Sequence, residues 1–110
     1  MRNIMLSLLM LPMLIATAQA AESKGDAVAG KRVAESVCRD CHDVTGNKVP
    51  RSPPGNAPPF ITLAQSPDQT EQKLRRYLTL PHGRMINLLV TGKDRDNVVS
   101  YILSLRSQNQ

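Results

Sequence analysis

The chain contains no tryptophan, one phenylalanine and two tyrosines, and its cysteines number only two. With so few aromatic faces to stack on bases, and with basic residues interspersed among acids, it lacks what binding to nucleic acid requires. No stretch alternates apolar and polar residues as a half-buried strand does, and no segment repeats. At 110 residues there is room for one small domain, which excludes a multidomain enzyme. Apolar side chains are unevenly spread: 14 lie in the first 20 positions, leaving 31 for the other 90. Leu, Ile, Val and Phe number 20 among those 90, close to the fraction below which chains stay disordered. A domain this lean needs a disulfide, a metal or a cofactor to complete its interior.

The apolar N-terminus reads as an export signal. Arg2 precedes an apolar stretch over 4–15, and Ala18-Gln19-Ala20 has the small-x-small form of a signal-peptidase site. Cleavage after Ala20 is predicted, leaving a periplasmic domain over 21–110. A retained span would need roughly 20 apolar residues. This stretch is shorter, is interrupted by Pro12 and has no flanking basic cluster, so no stable membrane span is expected in the mature chain. Without Arg2, 13 basic residues stand against 9 acidic ones, a mild excess with no charged block.

Helical periodicity governs the mature chain. Val28 or Ala29, Val33 and Val37 share a face of a helix predicted over 26–37, with Asp26 at its positive end. Gly30 within it costs about 1 kcal/mol relative to alanine, which points to a close crossing by another helix. Residues 44–59 hold Gly46, Pro50, Pro53, Pro54, Gly55, Pro58 and Pro59 and keep no period, so they read as a long loop able to wrap a ligand. Ser66-Pro67 and Thr70-Glu71 both suit the start of a middle helix that places Leu74, Tyr77 and Leu78 on one face and stops near Pro81. A capping-box-like start at Thr91-Gly92-Lys93-Asp94 leads into Val98, Tyr101, Ile102 and Leu105, and Arg106 suits that helix's negative end. The predicted fold class is all-α.

Residues 38–42 read Cys-Arg-Asp-Cys-His, and no other cysteine is present. Three chemistries use C-x-x-C: a dithiol redox site, half of a zinc site, and covalent haem attachment. A thioredoxin-like dithiol needs a βαβ context that these helical flanks do not provide. A structural zinc needs four ligands; His82 is the only further histidine, and adjacent Cys41 and His42 do not readily face one metal. Haem suits the spacing, because two cysteines three apart present both sulfurs along one side, where each can bond a vinyl carbon, and His42 then projects toward the iron. Export fits as well, since bacteria attach c-type haem outside the cytoplasmic membrane.

Taken together, the first helix with Gly30, the Cys38-Arg-Asp-Cys-His42 motif, the proline-rich loop, Pro81-His82-Gly83-Arg84-Met85 and a last helix with Val98-Val99-Ser100-Tyr101-Ile102 resemble small bacterial class I c-type cytochromes over nearly the whole mature chain. The resemblance implies a cytochrome c-like fold of three to five helices around one covalently attached haem. It also implies that the first and last helices cross near Gly30 and Tyr101. The proline whose carbonyl accepts a hydrogen bond from the haem histidine maps onto Pro58 or Pro59. Where the family commonly has proline after its ligand methionine, this chain has Ile86.

Met1, Met5, Met10 and Met13 leave with the signal, so Met85 is the one methionine available to the iron. It sits in a Pro/Gly loop rather than on an apolar helix face, unlike a core methionine. His82 is its rival; Lys48 or Lys73 would first have to lose a proton, and an open position is the remaining option. A thioether opposite His42 favours ferrous iron. The expected function is a periplasmic monohaem one-electron carrier between a donor and an acceptor redox protein, not an enzyme. The alternatives are a haem subunit held in an exported dehydrogenase or oxidase complex, or a haem sensor or peroxidase with a vacant iron position. Arg39, Lys48, Arg51 and Arg84, near the motif and the ligand loop, are candidates to ring the haem edge and steer an acidic partner, the alternative being ordinary solvated charge.

Overall fold

The computed structural model describes residues 25–47, 57–81, 85 and 90–109. The predicted signal, the interior of the proline-rich loop with Lys48 and Arg51, and the segments holding His82, Arg84 and Ile86 lie outside the described residues. Those described are helical wherever they are regular, with no strand among them, as the sequence predicts.

Helix α1 spans Ala27–Val33. Its first amides need acceptors that the helix cannot supply, and the Asp26 carboxylate accepts from Val28 N at 2.8 Å and Ala29 N at 3.1 Å. Beyond Val33 the helix widens into a π-helical turn, Ala34–Cys38, in which Arg39 N donates to Ala34 O at 3.1 Å. The predicted helix over 26–37 is therefore right in extent, but its second half has a different hydrogen-bond pattern. Helices α2, Phe60–Gln65, and α3, Glu71–Thr79, come next. Helix α4, Gly92–Ser104, continues into a 3-10 turn, Leu105–Asn109.

The two outer helices cross with their backbones in contact. A Cβ on Gly30 would lie 1.9 Å from the Asn97 carbonyl oxygen and 2.9 Å from Tyr101 Cβ, so only glycine admits this approach. Asn97 strengthens the crossing by accepting from Asp26 N through Oδ1 at 2.8 Å. From α4, Val98, Val99, Tyr101 and Ile102 enter the core and meet Ala34, Val44, Phe60, Ala64, Leu74 and Leu78.

Several local expectations change. The six residues of α2 are too few to display a helical period in sequence, yet Phe60 and Ala64 are buried one turn apart. Of the two starts offered for the middle helix, Thr70 is used, its hydroxyl accepting from Lys73 N at 3.1 Å, while Ser66 terminates α2. Tyr77, expected on the buried face, is 53% exposed. At α4, Thr91 holds the N-cap position without a side-chain bond, so the capping box is not closed. Arg106 serves α2 rather than its own helix end: Nε donates to Ala64 O at 2.8 Å, and the guanidinium also reaches Gln69 O. Arg75 joins α3 to α4 by pairing with Glu71 at 2.8 Å and with Asp96.

The crossing generates two expected outcomes. Gly30→Ala forces the helices apart and lowers the unfolding free energy of the haem-loaded protein by about 1–3 kcal/mol; denaturant titration showing wild-type stability would place the contact elsewhere. The amides of Ala29 and Val28 hold the Asp26 carboxyl below its ordinary pKa. Its stabilisation is therefore present at neutral pH and is lost as the pH falls below about 4. In Asp26→Asn, the urea midpoint should depend less on pH across that acid range.

Candidate functional site

The motif lies directly after the π-helical turn. His42 N donates to Cys38 O at 2.9 Å and Cys41 N to the same oxygen at 3.2 Å, so residues 38–42 make a single turn. Cys38 is buried and Cys41 half-buried. Burial, and less so the neighbouring Cys41, pushes the Cys38 thiol up to about 11. Dithiol redox chemistry needs a thiolate near neutral pH, and this environment opposes one.

His42 is 9% exposed, and its Nδ1 lies 2.8 Å from the Pro58 carbonyl oxygen. A carbonyl can only accept, so Nδ1 carries the proton and Nε2 keeps its lone pair for a metal. This bond resolves the choice between Pro58 and Pro59. Next to it, Phe60 N donates to Asp43 O at 2.9 Å. Two bonds thus fasten 58–60 to 42–43 and fix the imidazole from behind. The intervening loop starts with a tight turn in which the Asp43 carboxylate accepts from Thr45 N at 3.1 Å and Gly46 N at 2.8 Å. Gly46 adopts φ +79°, in the left-handed region that glycine occupies without strain.

A row of rings connects the site to α4. The Phe60 ring centroid is 5.5 Å from that of His42 and 6.4 Å from that of Tyr101, both pairs tilted. The buried Tyr101 hydroxyl donates to Val44 O at 2.6 Å, and burial raises its pKa further, so it remains a donor. The sequence pattern marks Tyr101 as a core residue but gives no sign of this bond, because its acceptor lies 57 residues away on the backbone. Phe60 is another functional residue that sequence reasoning missed; its place between two prolines and an aliphatic residue was the available signal.

Met85 is half-buried and lies outside any helix. Its rival His82 and the cations Lys48, Arg51 and Arg84 fall outside the described residues, and Arg39 belongs to the motif turn itself. Among the described residues, the buried side-chain polar atoms with no hydrogen-bond partner are Arg39 Nε and Thr45 Oγ1, both close to the motif in sequence. No group of three or more His, Cys, Asp or Glu side chains there could hold a bare metal ion.

Two thiols and an Nε2 lone pair on one turn fit an iron porphyrin, with a thiol for each vinyl group and a nitrogen for the metal. The described residues are helical wherever they are regular, and with this turn they meet what a c-type haem protein requires. Cytochrome c-552 of Bradyrhizobium diazoefficiens is 28% identical to it over 92 residues, 84% of this chain and 86% of that one. No family profile matches the chain, and no solved structure matches it. Motif, fold and relative together support a small class I c-type cytochrome with one covalently bound haem c and its iron.

Tyr101→Phe keeps the ring and removes only the donor, leaving the buried Val44 carbonyl without its partner. The loss should be about 1–3 kcal/mol in denaturant unfolding of the haem-loaded protein, together with faster hydrogen exchange of the amides around Val44. Unchanged stability and exchange would show that the hydroxyl is dispensable.

Proposed function

We propose that the protein is an exported one-electron carrier, cleaved after Ala20 and working in the periplasm, that binds its haem through Cys38 and Cys41 and ligates the iron with His42 and Met85. The observation that carries this reading is the bond from His42 Nδ1 to Pro58 O, which leaves Nε2 as a ligand on the turn that also holds both thiols. Bound haem supplies an iron that exchanges one electron between its ferrous and ferric states.

The chain's own residues do the rest. His42 is held rigidly by Pro58 and packed against Phe60, so its position need not change when the iron's charge does. Met85 is the only methionine of 21–110, and it lies, half-buried, four residues beyond Pro81. A soft thioether bound to the iron would favour the ferrous state, and with His42 and Met85 both bound the iron would have no room for oxygen or peroxide, which supports a carrier rather than an enzyme. No helix among the described residues is long and apolar enough to cross a membrane.

Met85→Ala tests the ligand set. The ferric protein should lose its thioether-to-iron charge-transfer band at the red end of the visible spectrum, and the reduction potential should fall. Retention of that band would exclude Met85 and turn attention to His82.

A further inference from the structure

Helix α3 turns a mixed basic and apolar face to solvent. Lys73, Arg76 and Tyr77 are spaced three and four apart, so they share one side of the helix, and Leu80 at its C-cap extends the same side. All four are exposed, Tyr77 by 53% and Leu80 by 49%, while Leu74 and Leu78 hold the opposite side in the core. The single acid of α3, Glu71, is engaged by Arg75, as is Asp96 of α4, and both pairs lie away from this face. The charges of Lys73 and Arg76 are thus not offset by the helix's own carboxylate. Lys73 is also held in place, its Nζ donating to Asp68 O at 2.8 Å.

Isolated exposed apolar residues need no explanation, but here Tyr and Leu adjoin two cations, and tyrosine and arginine are the side chains on which interface energy concentrates. Pro81 is exposed at the end of the same face, and Met85 comes within four residues, at most about 14 Å of extended chain. A partner seated on α3 is therefore near the segment assigned above to the iron.

We propose that the face of α3 formed by Lys73, Arg76, Tyr77 and Leu80 is the docking surface for an acidic redox protein. Carboxylates of the partner meet Lys73 and Arg76, and an apolar patch covers Tyr77 and Leu80. This rests on the electron-carrier reading.

The test uses the haem-loaded protein and a bacterial flavodoxin, an acidic one-electron flavoprotein, as probe. Reduction of the ferric protein by flavodoxin hydroquinone is followed by stopped flow in low and high salt. In the double variant K73E/R76E the second-order rate should fall about tenfold in low salt and by much less in high salt, where charges are screened. In Tyr77→Ala it should fall about threefold in both. The visible spectrum of each variant reports that its haem is intact. Wild-type rates in both variants overturn the docking surface. So do a dimer in sedimentation that Tyr77→Ala dissolves, which would assign the face to a second copy, and binding to phosphatidylglycerol vesicles without any change in flavodoxin rates. Wild-type protein that accepts no electron from flavodoxin or from neutral hydroquinone refutes the carrier reading itself, a different failure.

Discussion

One hydrogen bond, from the imidazole of His42 to the carbonyl of Pro58, connects the motif turn to the far side of a long loop. It fixes which ring nitrogen bears the proton and so decides which can meet iron. It also has to survive in a buried place, where losing it would strand a polar group. The surrounding structure is arranged to keep it. Phe60 N on Asp43 O prevents the two segments from sliding, the Phe60 ring packs against the imidazole, and Tyr101 secures the backbone two residues beyond the histidine.

Those supports come from the two ends of the chain. Gly30 lets α1 approach α4 to backbone contact, which places Tyr101 where its hydroxyl reaches Val44. The π-helical turn that ends on Cys38 begins one helical turn beyond this crossing, at Ala34. A small apolar inventory suffices because the core is gathered around α4, where residues 97–102 are all buried, and the rest of the interior is left to the prosthetic group.

Much of this is legible in the sequence, for physical reasons that differ by element. Helix α4 repeats its apolar residues often enough for the period to show, and Gly30 is conspicuous because a helix interior disfavours it. The Cys-x-x-Cys-His motif is local, so its chemistry can be weighed without any fold. Helix α2 is too short to carry a period, and the exposure of Tyr77 depends on which side of α3 meets its neighbours. Pro58 and Pro59 are chemically equivalent until the loop closes. Arg106 looks like the closing charge of its own helix, yet it is long enough to reach the carbonyls that end another. Each miss is a tertiary choice between local options that the chain leaves equal.

The π-helical turn has a geometric effect on the residues to either side of it. Residues four apart in an α-helix overshoot a full revolution by about 40°, so eight residues of uninterrupted helix would swing Cys38 about 80° around the axis from Gly30. A turn closed across five residues lags where the ordinary one leads. The overshoot gathered between Gly30 and Ala34 is cancelled between Ala34 and Cys38, and all three are buried. The surplus residue works as a phase correction, bringing toward one column the glycine that seats the crossing helix and the first cysteine of the motif.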